Sequence, residues 1–316
     1  MAREVEAPAW APPPRDGVGA SRVRAGSAHA SVLDFLQIRF PAVHDWPARL
    51  ERGDVLNAQG HRLQAEAPCP PGTLIWYWRS PPAEARVPFD VDLLHHDAHL
   101  VVVDKPHFLP VTPSGRHLQE TVLVRLKRQL GIETLTPIHR LDLDTAGVLA
   151  FSVQPATRHA YQFLFAERSV HKKYEAVAPW RAELALPFTH RCRLEEASGA
   201  SFMQMQVVPG VPNAETHVEL IARLEPTEGA APLALYRLTP LTGRKHQLRA
   251  QMNALGLPIV FDRIYPQLLP DAMPDYQRPL QLLAHELRFE DPISGVARCF
   301  RSKRQLSMAN QAASRT

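Results

Sequence analysis

The stretch Thr136–Phe151 constrains the chain most, because it sets charges among residues that favour burial. One apolar run ends at Ile138 and another restarts at Val148; between them stand His139, Arg140, Asp142, Asp144 and Thr145. Strand alternation breaks here, and Gly147 marks a point where the backbone bends or is closely approached. Two readings fit. The carboxylates can cap local backbone donors in a turn, or one of them can sit in a cleft with an arginine beside it, as in an active-site loop.

The rest of the chain can support such a cleft. Its 316 residues suit two domains, or one large domain with appendages, and 45% hydrophobic content excludes global disorder. No apolar run approaches the roughly 18–20 residues of a membrane span. The N-terminus lacks a basic segment followed by an apolar core, so a secretory signal is not expected. Cys69, Cys192 and Cys299 are odd in number and scattered, which fits a reducing cytoplasm better than a disulfide framework or a zinc site. Net charge is +4 and the pI is near 9.1. That mild excess permits a polyanionic partner without requiring one. Basic residues gather at Lys172 and Lys173, at Arg244, Lys245 and Arg249, and at Arg298, Arg301, Lys303 and Arg304. Such clusters are either solvated faces or nucleic-acid contacts.

Residues 1–30, rich in Pro with Gly, Ala and Ser, predict a disordered tail. From Ser31 the spacing of Val32, Phe35, Leu36 and Phe40 predicts a capped helix ending before Pro41. A second short helix over Trp46–Leu50 and strands near Asp54–Leu56 and Thr73–Arg79 complete a small α/β module over 31–80, with a proline-marked linker over 81–88. The larger domain, 89–306, opens with a buried strand at Leu100–Val103 that runs into Asp104, Lys105 and Pro106. An amphipathic helix carries Val122, Leu123, Leu126 and Leu130 on one face and stops at Gly131. Residues 156–168 predict another helix, 170–177 a strand, 181–235 a largely antiparallel sheet, and Lys245–Gly256 a helix whose first turn offers N–H groups to an anion. Residues 307–316 are expected to be a flexible tail.

His139, Arg140, Leu141 and Asp142, followed by Asp144, Thr145, Ala146 and Gly147, resemble the signature of the RluA-type pseudouridine synthases, which most often have Ser where Ala146 stands. Two further segments resemble that family's motifs: Lys172, Tyr174 and Ala176 in one, and Gly243, Arg244, His246, Gln247, Leu248 and Arg249 in the other. The resemblance covers about residues 89–300, ending on a closing strand at Leu282–Phe289. It departs at Phe261, where the family generally has Gly before Asp262, a change expected to alter a turn without touching the chemistry.

The resemblance implies an α+β fold, a largely antiparallel mixed sheet with flanking helices and a central catalytic cleft, preceded by a small RNA-binding-like module. It implies RNA uridine-to-pseudouridine isomerisation with Asp142 as nucleophile, Arg249 as its charge partner and Tyr174 against the base. Arg140, Lys172, Arg244, His246 and Leu248 are the implied substrate contacts. The reaction breaks N1–C1′ and rejoins the base through C5, without redox change or hydrolysis, so no cofactor or metal is expected. His139, His246 and His285 lack metal-ligand spacing, which disfavours a metal-dependent hydrolase. RNA is the expected partner, ribosomal RNA ahead of transfer RNA, for a cytoplasmic monomer. The alternative is a catalytically inactive RNA-binding or ribosome-assembly factor on the same fold.

Overall fold

The computed structural model describes residues 10–79, 84–115, 117–198, 203–224, 231–270 and 274–309. They form two compact units, one of Met1–Ala85 with Pro113–Gln119, the other of Arg86–Thr112 with Glu120–Thr316.

In the first unit, Ser31 caps helix α1 (Val32–Arg39) by accepting the Asp34 N–H at 3.1 Å. Helix α2 (Trp46–Arg52) has proline in its first turn and ends at Gly53 with φ 75°. Both helices pack Val32, Phe35, Leu36, Trp46 and Leu50 against Val55, Ile75 and Tyr77 of a small sheet. That sheet has the order β1 (Ser21–Arg24), β3 (Leu74–Tyr77), β2 (Val55–Leu56). Strand β1 corrects the expectation of disorder through residue 30. Its one inward apolar side chain, Val23, is too short a pattern to stand out beside the prolines, yet β1 pairs with β3 along its whole length. Val18 and Ala25 are buried, and Arg15 lies 3.6 Å from the Trp78 ring. Residues 1–9 lie outside the described residues. Both basic residues of α2 are engaged within the unit: buried Arg49 bonds Asp45 and the Trp78 carbonyl, and Arg52 bonds Asp54.

Deleting residues 1–28 should therefore strip an edge strand and two buried side chains, a loss of about 2 kcal/mol or more. Limited proteolysis within 31–79 checks this; protection equal to that of the full chain would contradict it.

The second unit is α+β. In chain order its elements are β4 (Asp92–His96), β5 (Leu100–Lys105), α3 (Val122–Leu130), β6 (Thr136–Pro137), β7 (Ala146–Ser152), α4 (Pro155–Ala166) and β8 (His171–Pro179). There follow β9 (Phe188–Glu196), β10 (Met205–Val208), β11 (Ala214–Arg223), β12 (Leu233–Pro240), α5 (Gln247–Ala254), β13 (Leu282–Glu290) and β14 (Ala297–Arg301). Among the described residues they build an 11-stranded sheet, β10-β9-β11-β12-β8-β13-β7-β5-β4, with β14 on β13 and β6 on β7. Its pairs are antiparallel except β7 with β13. Helix α3, capped by Thr121 and stopped at Gly131, packs Val122 and Leu126 on Val101, Val103, Leu149 and Phe151. Helix α4 covers the other face there through Tyr161. Helix α5 packs Leu248 and Met252 on Ala176, Ala178, Tyr236 and Leu238 of the other half.

The two halves meet where β13 pairs with β7 at Leu283–Ala146 and Ala284–Gly147. Gly147 has φ 114°, and a Cβ there would stand 2.2 Å from the Ala284 carbonyl oxygen. This close approach is what a glycine just after the charged loop signalled.

The unit also extends past the boundaries read from sequence. Val87, expected in the linker, lies in the core with Phe108 and Leu109, and Met308, expected in the flexible tail, packs beside Leu306. The C-terminal basic cluster is mostly structural. Arg298 pairs with Asp97 and Asp291, Arg301 with Glu286, and Arg304 with Asp92 and Asp104. No helix among the described residues is long and apolar enough to cross a membrane.

Candidate active site

The charged loop leaves Ile138 and returns at Ala146, and its two flanks are held differently. His139 is half-buried, its ring stacked on Phe165 at 4.7 Å and 14°, with Nε2 accepting the Ala150 N–H at 3.1 Å. Burial and the nearby Lys172 charge lower its pKa to about 3, so it is a neutral structural residue. On the other flank, fully buried Lys105 donates to the carbonyls of Pro106, Leu109 and Leu143 at 3.0, 2.7 and 2.9 Å. Burial draws its pKa down to about 7 against the attraction of Asp144 and Asp142. Three carbonyl acceptors match the three hydrogens of an ammonium. His107 Nδ1 lies 2.6 Å from the Asp144 carbonyl, and burial lowers this imidazole to about 4. The backbone between Asp142 and Asp144 is thus pinned from behind by the end of the Leu100–Lys105 strand.

Opposite the loop, α5 presents Arg249, whose side chain is 2% exposed. Its Nη1 is 3.4 Å from Asp142 Oδ2, as the expected pairing requires. Its closer partner is Asp262, fully buried, which accepts Nε at 2.8 Å and Nη2 at 2.6 Å in a bidentate pair. Burial opposes the charge on Arg249, but the Asp262 hydrogen bonds and the surrounding carboxylates outweigh it and raise the guanidinium pKa. Asp262 Oδ1 also accepts the N–H groups of Ile264 and Tyr265. The turn that carries the Phe261 departure therefore also supplies, through Asp262, the anchor for Arg249. Phe261 keeps the left-handed conformation suited to the family's glycine, φ 61°, with Arg278 over its ring at 4.7 Å.

Asp144 sits 4.0 Å from Arg249; burial raises its pKa, with Arg249 and then Lys105 opposing. His246 Nε2 is 3.9 Å from Asp142 Oδ2, and burial lowers its pKa although the Asp142 charge resists. Tyr174, on β8, is half-buried beside these charges: burial first, and then Asp142, pushes the phenol well above its ordinary value. A neutral hydroxyl is a poor base, so Tyr174 suits packing against a ring better than proton abstraction.

Asp142, Tyr174, Arg249 and Leu248 line one cleft of about 570 Å³, together with Arg140, Lys172, Arg244 and His246. All of the expected site residues thus converge. Asp142 is 19% exposed at its side chain, reachable from the cleft. Arg140 and Arg244 are exposed, and Lys172 Nζ donates to the Thr242 carbonyl at 3.3 Å. Helix α5 starts at Gln247, later than expected, with His246 as its left-handed cap at φ 50°. The basic side chains are therefore carried by the preceding loop. Gln247 clamps that loop: its Oε1 accepts from Thr242 Oγ1 and the Arg244 N–H, and its Nε2 donates to Glu215 O and Thr216 Oγ1. Sequence reasoning named Gln247 and Asp262 within the family's motifs but gave neither a role, since Glu215, Thr216 and Arg249 are brought to them by other elements.

Residues 99–254 match the RNA pseudouridylate synthase family. A Synechocystis protein described as an uncharacterized RNA pseudouridine synthase is 30% identical over 74% of this chain and 79% of its own length. A Haemophilus influenzae protein described as a dual-specificity RNA pseudouridine synthase RluA is 32% identical over 71% of this chain and 96% of its own. Among solved structures, human RNA pseudouridylate synthase domain containing 1 superposes with TM-score 0.55 at 21% identity, covering 74% of this chain and 98% of that one. That likeness supports the α+β fold. With a relative 32% identical over nearly its whole length, the chain belongs to the RluA-type RNA pseudouridine synthases, isomerases that convert uridine to pseudouridine.

Proposed function

We propose that the chain isomerises specific uridines in structured RNA, ribosomal RNA ahead of transfer RNA, with Asp142 as nucleophile on a flipped-out base. The observation that carries this reading is the pairing of a carboxylate open to the cleft, Asp142, with a buried guanidinium behind it, Arg249, at 3.4 Å. Tyr174 and Leu248 wall the base pocket, and Arg140, Lys172, Arg244 and His246 hold the flanking nucleotide. Extruding the uridine costs a few kcal/mol, less in a loop than in a duplex, which the basic rim offsets. Loop and single-stranded segments are accordingly the favoured substrate form.

The choice of RNA draws on the relatives. The Haemophilus protein is described as dual-specificity, and a Vibrio parahaemolyticus protein, 30% identical over 66% of this chain and 87% of its own length, as tRNA pseudouridine synthase C. The small N-terminal module is assigned to RNA docking, through side chains other than Arg49. The protein acts as a cytoplasmic monomer without metal or cofactor. Pseudouridine mapping of total RNA from a strain lacking the gene should show discrete ribosomal or transfer RNA sites lost and restored by the wild-type chain. An unchanged map would refute the reading.

A further inference from the structure

The corner between α4 and β8 carries a backbone feature that the chemistry above does not use. The helix closes with the Glu167 N–H on the Phe163 carbonyl and the Ser169 N–H on the Leu164 carbonyl, both at 2.9 Å. Arg168, between them, has φ 58°. This left-handed position after a helix is one that glycine favours and a residue with a Cβ resists. Nothing in closing the helix calls for an arginine. Backbone strain of this kind is kept where the side chain has a task.

The surroundings show what the task is. Arg168 is exposed and lines the cleft mouth. It makes no side-chain hydrogen bond or ion pair among the described residues, unlike the paired arginines of the C-terminal cluster. The stack of His139 on Phe165 ties the end of α4 to the loop that begins with Arg140. Arg140 and Arg168, neither with a side-chain hydrogen bond or ion pair among the described residues, therefore line the same opening close in sequence to the stacked His139 and Phe165, with Arg168 acting only at longer range on Glu215, which pairs with Arg191. A guanidinium matches the geometry of a phosphate with two parallel donors.

We propose that Arg168 binds a backbone phosphate of the RNA substrate beside the target nucleotide, so that its left-handed backbone is retained for substrate positioning. This inference rests on the RNA reading above. Arg168→Gly removes the guanidinium and relieves the strained backbone at once, so the effects on binding and folding separate.

The test measures binding of a short RNA hairpin with a uridine-rich loop across a salt series, with Arg168→Lys as the charge-preserving control. Arg168→Gly should bind about five- to tenfold more weakly, with the slope of log affinity against log salt reduced by about one. The Lys variant should keep most of the slope, and thermal stability of the Gly variant should equal or exceed that of the wild type. Unchanged affinity and slope in the Gly variant would overturn the proposal, as would a fall in its melting temperature, which would make Arg168 structural. Pseudouridine formation in total RNA is followed alongside with wild-type protein. Its absence would strike the isomerase reading, and the slope comparison on the hairpin would still decide Arg168.

Discussion

Asp142→Asn is expected to abolish pseudouridine formation while leaving RNA affinity within about tenfold, or about 1.4 kcal/mol. The amide preserves shape and hydrogen bonding but can act neither as nucleophile nor as base. The fold should tolerate it, because Arg249 remains anchored by its bidentate pair with Asp262 and the loop backbone by Lys105. Single-turnover assays on RNA that the wild type modifies make the comparison. Substantial turnover by Asn protein free of wild-type contamination would remove Asp142 from the reaction.

Arg249→Met should produce the largest combined effect on rate and stability. The guanidinium faces Asp262, Asp142 and Asp144. Removing it leaves Asp262 buried and uncompensated, a loss of about 3–5 kcal/mol for a broken buried pair. In wild type the raised arginine pKa contributes stability that is fully present below the ordinary arginine value, hence constant across neutral pH. In the variant the sign reverses. Carboxylates buried without their cation bind protons more readily in the folded state than in the unfolded one, so the variant should gain stability as pH falls. Asp144, already raised by burial with Arg249 as the chief opposing charge, contributes in that direction. Activity should move the other way, collapsing at neutral pH and partly returning as pH rises and the carboxylates stripped of their cation, Asp144 among them, ionise. A phosphate-contacting arginine would instead reduce the salt slope of RNA binding by about one unit and leave the pH profile alone. Denaturant midpoints from pH 5 to 8, rate against pH, and binding against salt distinguish the two; a reduced salt slope with an unmoved pH profile refutes the pairing.

The parts of this molecule legible in the sequence are those written locally. Thr121 and Gly131 bracket α3, Ser31 starts α1, and Asp142 stands out because charge interrupts two buried strands. What stayed hidden depends on partners brought in by tertiary structure. Asp262 reads as a turn residue until α5 delivers Arg249 to it. Arg298 and Arg304 read as part of a basic patch because Asp97, Asp92 and Asp104, which they pair with, lie about two hundred positions away. Strand β1 was hidden because four residues carry too little periodicity to outweigh the neighbouring prolines. The left-handed backbone at Arg168 has no sequence signature, since any residue but glycine argues against it.

The meeting of β7 and β13 has a consequence for how such a chain can change over generations. Asp142 belongs to one half of the sheet, and the guanidinium facing it, with Asp262, to the other. The halves are joined through β13, and β13 touches β7 at two residue pairs. Each half has its own core, while Ala146, Val177 and Leu283 share a cluster at the seam, so loops away from the seam can change with least effect on the other half. The separation of Asp142 from Arg249 is inherited through the junction. The least negotiable positions then include Gly147 and Ala284, which lie outside the cleft lining, and lineages that altered RNA preference would do so by rebuilding the rim while leaving this junction untouched.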